Sequence, residues 1–177
     1  MSNKARINRC LQGDKIAYRE FYTLYSRAML NASLRIVGSH EEAEDILQES
    51  FLVAFQKLKE IRSDAEFGGY LKRVVVNRSI DLIRKKKPDL CSMEEVQEFD
   101  RADEDHTVQY DPAVLAECLA DLPSGFRVVI TLYLFEDYSH REVAEFLNIT
   151  EGTSRSQYNR ARHKLAELYH KKTMTHA

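Results

Sequence analysis

Residues 138–164 read YSHREVAEFLNITEGTSRSQYNRARHK, and the fold turns on how this stretch is parsed. Ser139-His140-Arg141-Glu142 has the spacing of a capping box, in which the serine accepts an amide at the helix start and the glutamate reaches back. A short amphipathic helix to Leu147 follows, with Val143, Ala144 and Leu147 on its inner face. Asn148-Ile149-Thr150 makes a tight turn, and a second, longer helix spans about residues 151–169. On that helix Tyr158, Ala161, Leu165 and Leu168 form an inward stripe. The opposite face shows Arg155, Ser156, Asn159, Arg160 and Arg162. Helix, short turn and basic helix together make a helix-turn-helix. The chemistry suits base reading, since arginine forks onto guanine and asparagine onto adenine. Thr153 and Ser154, near the helix start, suit phosphate contacts through free amides. Residues 153–172 carry net charge +5, a source of salt-dependent attraction to a phosphate backbone. An ordinary amphipathic helix with a solvated basic face has the same pattern, so the rest of the chain must decide.

Working upstream, residues 113–122 and 125–136 read as two further helices separated by Pro123-Ser124. Before them, Pro88 and Pro112 bracket an acidic stretch without a periodic apolar face. Residues 88–112 carry net charge −8, against +6 for residues 1–87 and zero for residues 113–177. Proline pushes its predecessor out of helical geometry, and a self-repelling polar segment cannot bury enough apolar surface to fold alone. Residues 89–112 therefore read as a flexible acidic linker between a domain at 1–88 and a domain at 113–177.

The first domain reads as helices over residues 17–37, 43–58 and 67–87, with a weak helix over 5–11. Phe21, Leu24, Tyr25, Ala28, Ala32 and Ile36 have helical spacing, and Gly38 is the stop. Ser39-His40-Glu41-Glu42 is a second capping box. In the next helix Ala43, Ile46, Leu47, Ser50, Ala54 and Leu58 point inward, while Asp45, Glu49 and Gln56 lie outward. Phe51, Leu52 and Phe55 sit among the polar groups, either as a partner surface or as core. An acidic helix would repel DNA, so its partner should be protein. The third long helix gathers Lys72, Arg73, Arg78, Arg84, Lys85, Lys86 and Lys87 against Asp81 alone. Phe67 and Tyr70 add aromatic surface and Asn77 a hydrogen-bonding group, the mixture that single-stranded nucleic acid stacks and tracks on. Val74-Val75-Val76 is β-branched but sits inside this helical pattern.

The fold class is thus all-α: two small helical domains, a flexible acidic linker, and a C-terminal helix-turn-helix. Composition agrees, with 6 glycines and 3 prolines in 177 residues, too few for a turn-rich sandwich or barrel. No secretory or membrane-spanning stretch is visible, so direct membrane insertion is not expected. Cys10, Cys91 and Cys118 form no close pair and are odd in number, which suits a reducing cytoplasm. No enzyme, cofactor or metal is expected. No P-loop, nucleophile elbow or zinc motif occurs, and Glu167-Leu168-Tyr169-His170 is a single Glu-x-x-His where a helical di-metal site needs two. Cys91, His106 and Cys118 lack metal-ligand spacing. His40 and His140 follow helix caps and read as surface residues.

The residues quoted above resemble, in order, the extracytoplasmic-function sigma factors of the sigma-70 family. Asp45-Ile46-Leu47-Gln48-Glu49-Ser50-Phe51-Leu52-Val53-Ala54-Phe55 is similar to their polymerase-binding helix. Phe67-Gly68-Gly69-Tyr70-Leu71-Lys72-Arg73-Val74-Val75-Val76-Asn77-Arg78 is similar to their minus-ten-reading helix. Leu122-Pro123, Glu142-Val143-Ala144, Gly152-Thr153, Arg155-Ser156 and Arg160-Ala161-Arg162 resemble their minus-thirty-five-reading domain. The resemblance implies a transcription initiation factor that binds core RNA polymerase and promoter DNA and is held by an anti-sigma factor. Asp45, Gln48, Glu49, Phe51, Leu52 and Phe55 would dock on the β′ coiled coil, and the β flap would be a second polymerase contact. Residues 61–66, including Arg62, Ser63 and Asp64, would capture a base flipped out of the minus-ten element. Lys72, Arg73, Asn77, Arg78 and Arg84 would contact that element. Thr153, Arg155, Ser156, Asn159, Arg160 and Arg162 would read the minus-thirty-five element. The family often has tryptophan where Tyr70 stands, a small aliphatic at Ser154 and arginine at Gln157. With so few aromatic wedges the resemblance implies weak spontaneous melting and stringent promoter choice. A helix-turn-helix regulator working without polymerase is the alternative; it would bind duplex DNA tightly on its own.

Overall fold

Capping chemistry fixes where most helices of the chain begin and end. The computed structural model describes residues 4–87 and 111–175. Among these there are α-helices, one π-helical turn and no strand. The chain divides into two units, Met1–Leu82 and Ile83–Ala177, so the division falls in the last turns of a helix rather than at Pro88. The greater part of the expected linker, with Cys91 and His106, lies outside the described residues.

In the first unit α1 spans Ala5–Leu11, α2 Lys15–Val37, α3 His40–Gln56 and α4 Asp64–Lys86. Asp14 caps α2 by accepting from the Ile16 amide at 2.8 Å, and Gly38 ends it at φ +79°, a conformation a Cβ would disfavour. Ser39 caps α3, accepting from the Glu42 amide at 3.5 Å. Ser63 caps α4, accepting from the Glu66 amide at 3.1 Å. The core is aromatic at its centre: Phe21 and Phe67 rings lie 4.4 Å apart, with Phe51 and Phe55 beside them. The α2 stripe differs from the expected one. Leu24 is 55% exposed and Ala28 is exposed, while Met29 and Ser33 are buried. A 23-residue helix drifts around its axis, so the buried face migrates from one side of Tyr25 to the other. Phe67 is also buried completely, and so belongs to the core rather than to an aromatic surface. Gly68 lets α4 approach α2; a Cβ there would meet the Tyr25 ring at 2.6 Å.

In the second unit α5 spans Pro112–Asp121, α6 Ser124–Ile130, α7 His140–Leu147 and α8 Glu151–Thr175. Proline opens α5 at a position whose amide has no helical partner anyway. A π-helical turn, Thr131–Phe135, extends α6 where an uninterrupted helix was expected. One widened turn does not disturb the apolar periodicity enough to be read from sequence. Leu119, Leu122, Ile130 and Ala161 form one buried cluster of this unit, and Val128, Leu132 and Val143 are fully buried as well. The last helix runs past residue 169 because its final turns dock on α5: Lys172 pairs with Glu117 at 3.1 Å and Asp121 at 3.0 Å.

Candidate nucleic-acid interface

The turn of the helix-turn-helix is built from three local devices. Ser139 and Glu142 close a full capping box on α7: the Glu142 amide donates to Ser139 Oγ at 3.3 Å and the Ser139 amide to Glu142 Oε2 at 2.8 Å. Asn148 ends α7 at φ +54°, a left-handed conformation asparagine tolerates. Thr150 opens α8, taking the Thr153 amide on its hydroxyl at 3.1 Å and the Ser154 amide on its carbonyl at 3.0 Å. The amides of Thr153 and Ser154 are therefore engaged by the helix cap, which corrects the expectation that they are free for phosphate.

Two buried polar side chains lock α7 to α8. His140 is only 9% exposed, not a surface residue. Its Nδ1 lies 3.0 Å from Ser154 Oγ, its ring stacks on Tyr133 at 4.1 Å, and it meets Tyr158 edge-on at 5.6 Å. Tyr133 is carried by the π-helical turn, so that turn helps hold the helix-turn-helix together. Burial pushes the His140 imidazole below its usual range, and the Arg155 guanidinium adds repulsion in the same direction. Ser154 and Gln157 are buried as well, so neither reaches a groove. The residues on the far side remain exposed: Arg155, Ser156, Asn159 and Arg162. Arg160 and Thr153 are half-buried at the margins of this face. Arg155 pairs with Glu151 one turn away, and Ser156 Oγ donates back to the Gly152 carbonyl at 3.0 Å. Exposed pairs of this kind contribute little and exchange readily for a phosphate or a base edge.

Along α4, Arg73 and Asn77 are exposed, with Lys72, Arg78 and Arg84 half-buried; Arg84 falls past Leu82, where the first unit ends. Arg78 pairs with Glu49 of α3, so a cation expected to face DNA and an anion expected to face protein are joined. In the loop before α4, Arg62 is exposed and its amide donates to Glu66 Oε2 at 2.8 Å. Ser63 is spent on the cap. Asp64 is held from outside the loop: its carboxylate pairs with Arg6 and its carbonyl accepts from the Tyr25 hydroxyl at 2.7 Å.

The acidic face of α3 meets α4 at the Glu49–Arg78 pair. Asp45, Gln48, Glu49 and Leu52 are all exposed, at positions i, i+3, i+4 and i+7 of one helix, hence on one stripe. Leu52 is 65% exposed in the midst of these polar groups. Phe51 is 3% exposed, a correction to its expected place on this surface, because its ring packs against Tyr22 at 4.9 Å and into the core. Phe55 is half-buried against Tyr18 at 4.8 Å. Among the described residues no cluster of three or more His, Cys, Asp or Glu side chains could hold a metal, and no helix is long and apolar enough to cross a membrane.

Residues 21–88 match the profile of Sigma-70 region 2, and residues 113–165 match that of Sigma-70, region 4. The chain is 30% identical over 178 residues to the ECF RNA polymerase sigma factor SigW of Bacillus subtilis, an alignment covering 93% of this chain and 95% of that one. It is 28% identical to the RNA polymerase sigma-H factor of Pseudomonas aeruginosa, covering 88% of each. The fold is shared with the sigma factor RpoE solved in complex with the anti-sigma factor NepR from Bartonella quintana. That similarity has a TM-score of 0.57 at 21% identity and covers 85% of this chain and 95% of that one. It is shared too with CnrH in complex with the cytosolic domain of CnrY, at TM-score 0.55 and 22% identity, covering 94% and 96%.

Proposed function

We propose how this chain, which belongs to the ECF RNA polymerase sigma factors, divides the work of transcription initiation between its two units. It is a sigma factor that binds core RNA polymerase and directs it to promoters. The first unit grips polymerase through α3 and handles the minus-ten element through α4 and the loop before it. The second unit reads the minus-thirty-five element with α8. The observation that carries this reading is the stripe Asp45, Gln48, Glu49 and Leu52. Its acidic groups repel a phosphate backbone, and its exposed leucine gains by desolvation, so it fits protein and not DNA. A helix-turn-helix regulator with an N-terminal interaction domain, the alternative, would instead bind duplex DNA tightly without polymerase.

On α8, Arg155 and Asn159 stand one turn apart on the exposed face and are the residues placed to fork onto base edges. Ser156, Arg160 and Arg162 fix the helix on the backbone. On α4, Lys72, Arg73, Asn77, Arg78 and Arg84 track the minus-ten strand, with Arg62 at the mouth of the base-capturing loop. Engagement of Glu49 by polymerase would release Arg78 to phosphate. These surfaces offer cationic forks, amides and aromatic faces, which recognise rather than transform, so the chain acts by binding and not as a catalyst. Buried cysteines that remain thiols, Cys10 and Cys118, favour a cytoplasmic home. An anti-sigma factor is a further partner on this reading, by analogy with the complexes in which the two related folds were solved.

The test is promoter-specific run-off transcription with core polymerase. Leu52→Ala and Asp45→Ala should weaken polymerase binding by about tenfold or more, the size of a central interface residue's contribution, while leaving the fold intact. Normal polymerase binding by both variants would remove α3 from the interface.

A further inference from the structure

Of residues 61–66, expected as a break, 64–66 form the first turn of α4 and 61–63 the loop before it, and one group that holds this stretch comes from a helix outside the matched region. Ile61 is buried and anchors the loop's start. Asp64, the first residue of α4, is held by Tyr25 of α2 through the 2.7 Å bond to its carbonyl and by Arg6 of α1 through its carboxylate. Arg6 lies 58 positions earlier in the chain and before residues 21–88, the span of the region 2 match.

Arg6 does not reach Asp64 by chance of rotamer. Its Nε donates to Glu20 Oε2 at 3.0 Å, and its guanidinium lies over the Phe21 ring, 5.4 Å from the centroid. Glu20 is shared with Arg9 at 2.9 Å, and Arg9 in turn holds Asp14 Oδ2 at 2.8 Å. The result is an alternating row: Asp14, Arg9, Glu20, Arg6 and Asp64. Each cation stands between two carboxylates, so removing Arg6 leaves Glu20 and Asp64 as like charges facing one another. The Arg9 and Arg6 bonds hold the Glu20 carboxyl below its usual range, which fits a carboxylate that stays ionised in the row. Asp64 matters for a second reason. An acidic group at a loop that must accept a nucleotide repels the phosphate that comes with it. Paired with Arg6 it is neutralised, and its position is fixed.

We propose that α1 is a brace for the base-capturing loop and that Arg6 is a positioning residue for promoter selectivity at the flipped-out base. The proposal rests on the reading that residues 61–66 capture that base. Arg6 touches no nucleotide. It sets Asp64, which sets the start of α4 and the loop's opening.

The experiment is run-off transcription by holoenzyme on a set of promoters that differ only at the captured position, scored as the output ratio between the best and the worst base. The variants are Arg6→Ala, Arg6→Lys and Tyr25→Phe, each with its thermal midpoint and core-polymerase affinity measured. Arg6→Ala should lower the ratio by up to about fivefold, the most that an ion pair of this exposure ordinarily supplies, with polymerase affinity unchanged. Arg6→Lys, which keeps the charge but loses the fork to two carboxylates, should restore part of the ratio. Tyr25→Phe, which removes the second anchor without changing charge, should lower it in the same direction. If Arg6→Ala lowers output equally on every promoter and leaves the ratio at its original value, α1 is merely structural and the proposal falls, while base capture stands. If the original protein shows no discrimination at that position, base capture and brace fall together.

Discussion

Burial keeps the His140 imidazole neutral in the fold, with its pKa below the ordinary 6.5, and Arg155 reinforces the effect. As pH falls through that ordinary value the unfolded chain takes up a proton more readily than the folded chain does, although Glu151 offsets part of the effect. The second unit therefore keeps its full stability above the mid-sixes and loses it progressively below. Thermal melts of the intact chain between pH 8 and pH 5 should show this loss, and His140→Gln, which cannot titrate, should flatten it. Melts of the two proteins that run parallel would contradict the assignment. On the exposed face of α8, Arg155→Ala should cost about 1–3 kcal/mol of promoter affinity and relax base choice at one upstream position, measured by anisotropy with holoenzyme. Single residues were the least legible scale. The outward face of α8 was readable because Arg155, Ser156 and Asn159 repeat with helical spacing. His140, Ser154 and Gln157 were not, because polar side chains turn inward only when tertiary partners such as Tyr133 satisfy them. Phe51 was legible and was missed: it stands four residues after Leu47 and three before Ala54, on the inward stripe, whereas Leu52 falls with Asp45, Gln48 and Glu49 on the outward one.

Elements are where periodicity and capping speak most clearly. Helix ends at Gly38, Ser39 and Ser139 follow from residues whose side chains or backbones suit those positions. The π-helical turn at Thr131–Phe135 left no mark in the apolar pattern, since Leu132 inside and Leu134 outside fit an ordinary helix equally well. The extent of α8 was missed for a different reason: its final turns depend on Lys172 meeting α5, a pairing no local signal announces. On α3, Phe51→Ala should destabilise the first unit by about 3–5 kcal/mol through the cavity it leaves. Leu52→Ala, one residue on but exposed, should change stability by less than about 0.5 kcal/mol. Urea unfolding of the two variants separates them. Equal losses would mean that both side chains are buried in solution. Gly68→Ala should also destabilise, because its methyl would have to displace the Tyr25 ring and with it the bond to Asp64.

Across the whole molecule, the charge blocks of the sequence foretold two helical units on either side of an acidic stretch, and the all-helical class followed from sparse glycine and proline. The surfaces proposed for protein and for nucleic acid do not follow those blocks: α3 with its exposed acidic stripe and α4 with its cations share the first block, and α8 lies in the block of zero net charge. Promoter binding by the holoenzyme should weaken steeply with salt, whereas polymerase binding through a stripe centred on Leu52 should weaken less. The most direct measurement is a titration of purified core RNA polymerase with this chain at moderate salt, followed on the same samples by run-off transcription. Saturable binding, promoter-specific transcripts, and loss of both with Leu52→Glu are the predicted result. A chain that binds duplex DNA but has no affinity for core polymerase would contradict it.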